Sequence, residues 1–538
     1  MIETLNTSFW KRSGVAFVSG ALGVTALPPF GWLPLFVAAL CPLVWLLDAT
    51  FACADLSRKA SIRRVFSLGW FWGCGYFLAG LWWLGFAFLV DADVFAWVMP
   101  ISIAGFCAFL AFFPGLGMVL AWSLWSRKNT RIFAFAFAFS VMEWLRGHIL
   151  TGFPWNLPGM VLGQHVPLMQ VAALGGIYLM TFLVLLLFSA PATLLPIKGQ
   201  SNKRFKRCYP TFMALLVFTV LAVWGGMRVP SSAVQPIMNM RFRIMQPNFP
   251  QDAQFNRYNA QAILTDYLNL SLKGEAVIPK EITHILWPET AFPFILDQEP
   301  EALNQIAHIL PAETVLVTGA ARMVPFLPGE DDGNYYNSIA IVDSMGTVTW
   351  PYDKMHLVPF GEYIPSFFDK LINSLGLRKF VDIPGNYDVP DKRKPVVLPY
   401  FGFVVGTICY EAIFSSDILP SSDVKKHFSP LFILNVTNDG WFGNSPGPYQ
   451  HFAQSRLRAV EEGLSFVRAA NTGISAVVDP YGRIIASAPL GVKTVFDSDI
   501  PVALPYKTFF ARFRDIPFFV CLLFSLLIGF RGRFLPKS

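Results

Sequence analysis

The feature that constrains this chain most is a series of apolar runs long enough to cross a lipid bilayer. A transmembrane helix needs about 20 mostly apolar residues. Such runs lie at about 13–29, 32–50, 65–90, 96–126, 131–147, 166–196, 210–229 and 515–531. Only 14% of the 538 residues are charged, whereas soluble domains average about 25%. We therefore predict an integral membrane protein with about eight helical spans, of which the first two, separated only by residues 27–31, could instead form one broken hairpin.

The positions of Lys and Arg predict the orientation of these spans, because loops that face the cytoplasm carry an excess of both residues. Basic clusters precede the first run, occupy every second connection and follow the last run, at residues 11–12, 58–64, 127–131, 203–207 and 531–537. This pattern places both termini in the cytoplasm. It predicts a seven-span region (1–230), an extracytoplasmic domain (231–511) and a final span (512–538).

Two charged residues interrupt the fifth apolar run. Glu143 and Arg146 lie within EWLRG at 143–147, and charges inside a membrane are costly enough to suggest a function. Their spacing also puts them on one face of a helix, where they could form a structural ion pair. Both interpretations remain open from the sequence, and the structural pair is somewhat favoured.

The polar segment has the pattern of an α/β domain. Short β-like runs at 241–245, 284–287, 314–318, 337–342, 403–408, 431–436 and 474–478 alternate with helical patterns at 259–272, 301–309 and 450–469. Neither GxGxxG nor GxxxxGK[ST] occurs, which argues against nucleotide binding, and no His, Cys and Asp spacing resembles a metal site. The net charge of +7 comes from short clusters between apolar runs, so it does not indicate a nucleic-acid partner.

Three strings in this domain carry reactive side chains near the ends of predicted strands. They are WPET at 287–290, which holds Glu289, the segment 352–362, which holds Lys354, and GTICYE at 406–411, which holds Cys409. Active sites of α/β sheets gather at the carboxyl ends of strands, so these side chains are expected to meet. Of the seven cysteines, only Cys409 lies in the polar segment. A lone thiol in an oxidising compartment suggests chemistry rather than a disulfide.

The three residue types suit nucleophilic catalysis by a cysteine. An ordinary thiol has a pKa of about 8.5 and needs a base or a nearby cation to react at neutral pH. Glu289 could accept its proton, and Lys354 could stabilise an oxyanion, oriented by Glu362 or Glu411. Taken singly, each residue more often has a structural role, and Cys409 would more often be a small buried hydrophobe. His356 is an alternative base, although it points away from Lys354 if their segment is extended.

The ordered Glu, Lys and Cys set resembles the nitrilase, or carbon–nitrogen hydrolase, superfamily. Together with the predicted spans, the chain resembles bacterial apolipoprotein N-acyltransferases over essentially its full length. The strings that carry this resemblance are WPET at 287–290, HLVPFGEYIP at 356–365, ICYE at 408–411, NDGWFG at 438–443, NTGISAV at 471–477, EWLRG at 143–147 and TGFPWN at 151–156. The resemblance implies an α-β-β-α sandwich joined to a membrane α-helical bundle.

The resemblance also implies roles for individual residues. Cys409 would be the nucleophile, Glu289 the general base and Lys354 the group that stabilises the tetrahedral intermediate, with Glu362 and Glu411 in support. Tyr410 and Trp441 would shape the acyl or headgroup pocket, and Phe255 stands where the family commonly has Trp. After Pro365, a short amphipathic stretch that includes Phe367 and Phe368 could pack on its own domain or dip into the outer leaflet as a lid.

The implied reaction needs no cofactor and no metal. Cys409 would take an acyl chain from a phospholipid, typically phosphatidylethanolamine, and pass it from the thioester to the α-amino group of a diacylglyceryl-cysteine on an apolipoprotein. The resemblance places this reaction at the periplasmic face of a bacterial inner membrane. Two other functions remain open. One is a membrane-tethered amidase for a small nitrogen compound, and the other is a transporter with a binding domain, against which the sequence lacks paired broken spans.

Overall fold

The computed structural model describes residues 8–53, 56–90, 92–197, 204–249, 257–326, 333–363, 387–419 and 429–534. They divide into two compact units. Unit 1 contains Met1–Ser232, Ser445–Gly463 and Tyr506–Ser538, and unit 2 contains Ala233–Asn444 and Leu464–Pro505. A helix from within the polar segment therefore groups with the apolar helices.

Unit 1 is helical. Its α-helices are α1 (Phe9–Gly23), α2 (Leu33–Phe51), α3 (Arg58–Leu81), α4 (Ala92–Phe95), α5 (Met99–Leu110), α6 (Phe112–Ser123), α7 (Arg131–His148), α8 (Val166–Met169), α9 (Ala172–Ser189) and α10 (Arg204–Arg228), then α13 (Pro446–Glu462), α14 (Phe509–Phe513) and α15 (Ile516–Phe534). Short 3₁₀ segments cover Val24–Ala26, Trp82–Leu89, Pro158–Gln164 and Ala190–Leu194. The expected apolar bundle is thus present as helices.

Six segments of the described chain are long and apolar enough to cross a membrane. They are Leu33–Phe51, Arg58–Leu89, Met99–Ser123, Ala172–Leu194, Phe205–Arg228 and Ile516–Phe534. The expectation of about eight spans is not confirmed. At 15 residues, α1 extends only about 22 Å, against a hydrocarbon core of about 30 Å, while α7 carries three buried charges, Arg131, Glu143 and Arg146.

A pair of glycines breaks α9 near its start. Gly175 and Gly176 have non-helical backbone angles, and Gly176 adopts a φ of 67°. A Cβ atom at Gly176 would lie 2.4 Å from the ring of Phe510, so a side chain does not fit. The amide of Ile177, freed by the break, donates to the Glu461 carboxylate over 2.9 Å. The buried carboxylate therefore satisfies a helix terminus inside unit 1.

Unit 2 consists of two six-stranded mixed sheets with helices on the first. Its strands are β1 (Pro236–Gln246), β2 (His284–Leu286), β3 (Val315–Pro325), β4 (Gly333–Val342), β5 (Val348–Asp353), β6 (Val396–Leu398), β7 (Gly402–Ile408), β8 (Phe432–Thr437), β9 (Ser465–Ala470), β10 (Ala476–Val478), β11 (Ile484–Ser487) and β12 (Thr494–Pro501), and its helices are α11 (Ala260–Leu272) and α12 (Pro300–Ile309). The orders are β12-β1-β2-β3-β4-β5 and β11-β10-β9-β8-β7-β6. Strands β1 to β3 and β7 to β9 run parallel, and the remaining pairs are antiparallel.

Two apolar cores hold unit 2 together. One lies between the sheets and joins residues such as Phe242 and Leu286 of the first to Phe432 and Leu434 of the second. The other packs α11 and α12 on the outer face of the first sheet around Trp287. Unit 2 thus contains the two sheets and one of the two helical layers of the α-β-β-α sandwich that the resemblance implies. Strands β2 and β7 each belong to the parallel part of their sheet. The residues that follow them therefore lie at the carboxyl ends of the strands, where active sites of α/β sheets gather.

The helix predicted at 450–469 is wrong after residue 462. Helix α13 ends at Glu462, because Gly463 adopts the left-handed conformation with a φ of 72° and its amide caps the carbonyl of Ala459. The next segment, Ser465–Ala470, is β9, paired in parallel with β8. Arg458 and Glu461, two charged residues of α13, are fully buried and pair with each other at 2.9 Å.

Candidate active site

Glu289 lies just beyond β2, and its carboxylate is held by three donors. Asn337 Nδ2 donates to Oε1 over 2.8 Å, Lys354 Nζ contacts the same oxygen at 3.3 Å, and the amide of Asn438 donates to Oε2 over 2.9 Å. The close fit of the neighbouring strand fixes the backbone here. A Cβ on Gly319 of β3 would lie 2.5 Å from the Glu289 Cα. The carboxylate is therefore buried and held in one orientation.

Lys354 follows β5 directly and is 1% exposed. Its amide donates to the carbonyl of Asn337 over 2.8 Å, which continues the pairing of β4 with β5. Its ammonium contacts Glu362 at 2.9 Å and Glu289 at 3.3 Å. Glu362 also accepts from Asn337 Nδ2 over 2.8 Å and from the amide of Val358 over 2.7 Å. The carboxylates of Glu289 and Glu362 thus share the Lys354 ammonium and the side-chain amide of Asn337.

Cys409 is the first residue after β7 and adopts a φ of 48°. A positive φ is uncommon for a residue with a side chain and persists only where the surroundings enforce it. The turn directs the thiol to the carboxylate of Glu289, to which it donates a hydrogen bond, and toward Thr437. The cysteine is 8% exposed. The three residues that the sequence singles out, Glu289, Lys354 and Cys409, are brought together.

The contacts of Glu411 differ from those of a group that orients Lys354, which was one of two alternatives from the sequence. Its carboxylate accepts from the amides of Ile408 (2.7 Å) and Met355 (2.9 Å), and from Arg393 Nη2 (2.9 Å) and the Tyr352 hydroxyl (2.8 Å). Within the described chain, the Lys354 ammonium is not among its hydrogen-bond donors. Glu411 instead ties the backbone after Lys354 to the backbone before Cys409, so it positions both.

The electrostatics of the cluster keep the thiol protonated beside a carboxylate whose basicity is raised. Burial raises the pKa of Glu289, and Glu362 adds to this effect while Lys354 opposes it. Burial disfavours the charged form of Lys354, but Glu362 and Glu289 outweigh it and raise the pKa of its ammonium. Burial and the charge of Glu289 raise the pKa of the Cys409 thiol. The resting site therefore holds a protonated thiol beside a basic carboxylate and a permanent cation.

Three further predicted residues, Tyr410, Trp441 and His356, lie among the described residues. Tyr410 is buried and packs edge-on against Phe414, with ring centroids 5.0 Å apart. Trp441 is 43% exposed. His356, the alternative base, stacks on Phe414 at 3.7 Å, and its Nδ1 lies 3.9 Å from Asp417.

Three further predicted residues lie outside the residues described. Phe255, Phe367 and Phe368, together with the amphipathic stretch proposed as a lid, fall in the segments 250–256 and 364–386.

Sequence reasoning missed three residues of the site. Asn337 bridges Glu289 and Glu362, Asn438 supplies an amide to Glu289, and Arg393 pairs with Glu411. Asn438 is the first residue of the string NDGWFG, in which the family resemblance assigned a role only to Trp441. Asn337 begins the strand predicted at 337–342. A polar residue ahead of the apolar ones was the signal that could have identified it. Arg393 lies in the charged run DKRK at 391–394, which looks like a solvated loop.

Comparison with known proteins gives matches over most of the chain. Residues 19–190 match a family model described as the apolipoprotein N-acyltransferase N-terminal domain, and residues 275–507 match one described as carbon–nitrogen hydrolase. An apolipoprotein N-acyltransferase of Rhodopseudomonas palustris is 42% identical over 97% of this chain and 96% of its own length. The chain belongs to the apolipoprotein N-acyltransferase family. A relative of the same name from Bradyrhizobium diazoefficiens is 41% identical over 97% of this chain and 95% of its own.

Family membership and the carbon–nitrogen hydrolase match support an acyltransferase with a nitrilase-like domain and apolar membrane helices. Among solved structures, an N-terminal amidase with a bound Asn-Glu-Ala peptide aligns with a TM-score of 0.23 and 13% identity over 37% of this chain and 47% of that chain. This likeness is too low to carry any conclusion. The function of the chain is therefore inferred from its full-length relatives and from the geometry of unit 2.

Proposed function

We propose that this protein N-acylates the diacylglyceryl-cysteine of apolipoproteins, with a phospholipid as acyl donor and a thioester on Cys409 as the intermediate. The observation that carries the proposal is the cluster of Glu289, Lys354 and the Cys409 thiol in unit 2. The full-length identity to named apolipoprotein N-acyltransferases supports the acceptor. Phosphatidylethanolamine is the donor that we propose.

In the first half-reaction, the Cys409 sulfur attacks the ester carbonyl of the phospholipid. The thiol proton passes to Glu289, the carboxylate to which the thiol already donates. The Lys354 ammonium stabilises the negative charge that develops on the carbonyl oxygen. As the carbon–oxygen bond breaks, Glu289 returns the proton to the leaving oxygen, so a lysophospholipid departs and the acyl chain remains on sulfur.

In the second half-reaction, the α-amino group of the acceptor attacks the thioester carbonyl. Glu289 takes a proton from the nitrogen, the carbon–sulfur bond breaks, and the sulfur recovers a proton as the thiol. Converting an oxygen ester into an amide through a thioester is downhill, so no nucleotide is required. The small exposed fraction of Cys409, 8%, limits competing attack by water.

The other groups support this reaction from fixed positions. Glu362 and Asn337 hold the Lys354 ammonium and the Glu289 carboxylate, while Glu411 holds the backbone on both sides of the site. We propose that Trp441, with its partly exposed ring, lines the acyl or headgroup pocket with Tyr410.

The proposed topology is consistent with the substrates, both of which are anchored in a membrane. Residues 1–230 and 512–538 would lie in the bacterial inner membrane with both termini in the cytoplasm, and residues 231–511 would form the periplasmic catalytic domain. The distribution of basic clusters supports this orientation.

The experiment that tests the proposal is intact-mass analysis of the purified full-length protein after incubation with phosphatidylethanolamine. We expect a mass gain of one acyl chain that hydroxylamine removes. The Cys409→Ala variant should lack it, and the Cys208→Ala variant, which removes an exposed cysteine of unit 1, should keep it. No adduct on properly presented lipid would instead favour an amidase for small nitrogen compounds that uses the same residues.

A further inference from the structure

Unit 1 contains a groove that the proposed reaction does not use. Its volume is about 540 Å³, and it lies where the start of α9, the end of α10 and the segment 506–512 come together. Its walls include Trp224 and Met227 of α10 and Phe509 of α14. Met227 is 79% exposed and Phe509 is 50% exposed, so the groove opens onto an apolar surface.

Three cationic side chains line this groove: Arg228, Lys507 and Arg512. Arg228 donates to the side-chain oxygen of Gln170, a neutral partner. Lys507 and Arg512 are exposed, and the structure gives them no acidic partner among the residues it describes. The neighbouring Arg514, by contrast, is paired with Glu462. The groove therefore concentrates positive charge that the described chain does not neutralise at Lys507 or Arg512.

The apolar surface continues from the groove along α10. This helix is one of the candidate spans, and only 11% of its apolar window is buried within the structure. Leu216, Val220 and Val223 are exposed along it, on the way from the groove toward its middle. A ligand seated in the groove would thus have cations beside one end and a lipid-facing helix beside the other.

We propose that this groove binds an anionic phospholipid, with the phosphate and headgroup among Arg228, Lys507 and Arg512 and an acyl chain along α10. An anionic lipid is favoured because three cations line a site whose other walls are apolar. A small anion alone would leave the apolar walls of Trp224, Met227 and Phe509 unused. An uncharged lipid would leave Lys507 and Arg512 without a negative partner. Trp224 lies near the end of the candidate span Phe205–Arg228, and Trp is enriched at the edges of membranes. The site lies entirely within unit 1, so it does not depend on the chemistry proposed at Cys409.

The test uses the full-length protein in detergent and native mass spectrometry, titrated with phosphatidylglycerol and, separately, with phosphatidylcholine. The double variant Lys507→Gln with Arg512→Gln is compared with Arg58→Gln and Lys59→Gln, which removes the same charge from the exposed start of α3. We expect the groove variant to lose on the order of tenfold in phosphatidylglycerol affinity, and the α3 variant to change little. Phosphatidylcholine binding should be weaker and insensitive to both changes.

Three results would overturn the assignment. Equal losses in the two double variants would mean that only overall charge matters. Unchanged phosphatidylglycerol binding in the groove variant would remove the site, provided that its melting temperature matches the parent protein. Competition by inorganic phosphate at millimolar concentration would indicate a site for free anions rather than lipid. The Cys409 adduct is measured in the same samples. This distinguishes failure of lipid binding at the groove from failure of the proposed acylation of Cys409.

Discussion

Unit 1 and unit 2 both bury ionised groups, but two ion pairs of unit 1 and the candidate active site of unit 2 balance them differently. In unit 1, Glu143 pairs with Arg146 and Asp48 pairs with Arg131, one acid to one base in each case. In unit 2, two carboxylates face the single ammonium of Lys354. A matched pair has its charge satisfied and holds structure. At the candidate site, burial is the largest cause that raises the pKa of Glu289, and the second carboxylate, Glu362, raises it further, so Glu289 can accept a proton. The excess carboxylate therefore adds to the effect of burial on the basicity of Glu289.

The contacts of Arg146 illustrate the structural case. Besides Glu143, its guanidinium donates to the carbonyl of Phe153 and, over 2.9 Å, to that of Trp155. The indole of Trp155 in turn donates to the side-chain oxygen of Gln450 on α13 over 2.8 Å. The pair therefore fixes the turn after α7 and, through it, the helix that unit 1 takes from the polar segment. These contacts favour the structural interpretation of EWLRG over a catalytic one.

The largest expected effect is on the proton acceptor. Glu289→Gln keeps the size of the side chain and can still accept from Asn337, but it cannot take the thiol proton. We expect acyl transfer to fall by about 10²- to 10⁴-fold, the usual contribution of a general base. Single-turnover acylation of Cys409, monitored by intact mass, measures it. An acylation rate within a factor of about three of the parent protein would contradict the role of Glu289 as base.

The next effect concerns stability rather than chemistry. Arg146→Met leaves Glu143 as an unpaired buried carboxylate, which costs about 3–5 kcal/mol. We expect a lower thermal unfolding midpoint for the full chain in detergent. The double variant Glu143→Gln with Arg146→Met removes the stranded charge and should recover part of the loss. If the double variant is no more stable than Arg146→Met, the pair is not the source of the effect.

The sequence predicted the parts of this molecule that depend on local pattern. The apolar runs, the alternation of strands and helices and the order of Glu289, Lys354 and Cys409 are all visible in short windows, because each rests on neighbouring residues. The failures depended on distant contacts. Helix α13 was extended through β9 because Gly463 alone marks the boundary, while pairing with β8 makes the next residues a strand. Burial of Arg458 was equally invisible, since its surroundings come from other parts of the chain.

The same distinction holds inside the site. The strings predicted which residues lie together, but not which carboxylate contacts which partner. The sequence offers Glu362 or Glu411 as the group that orients Lys354, and Glu411 is occupied by backbone amides and Arg393. Glu362, eight residues from Lys354 in sequence, contacts it because the chain turns back after β5. Such assignments require the fold, since sequence distance does not determine them.

The smallest expected effect is on the pH dependence of the rate, which two substitutions should shift in opposite directions. The rate should rise with pH as Glu289 ionises, since its carboxylate is the base, and this acid limb should lie above the range of an ordinary Glu because burial raises the Glu289 pKa. Glu362→Gln removes a negative neighbour that raises that pKa, so the limb should move to lower pH. Asn337→Ala removes a hydrogen bond that lowers it, so the limb should move to higher pH.

The measurement is kcat/KM against pH for the parent protein and the two variants. The maximal kcat/KM of each variant should be less reduced than that of Glu289→Gln. A structural role for Glu362 and Asn337 would lower activity at every pH and leave the limb in place. Shifts of the same sign in both variants would show that an excess of carboxylate does not set the basicity of Glu289. Opposite shifts would tie the reactivity of unit 2 to the charge imbalance that unit 1 avoids.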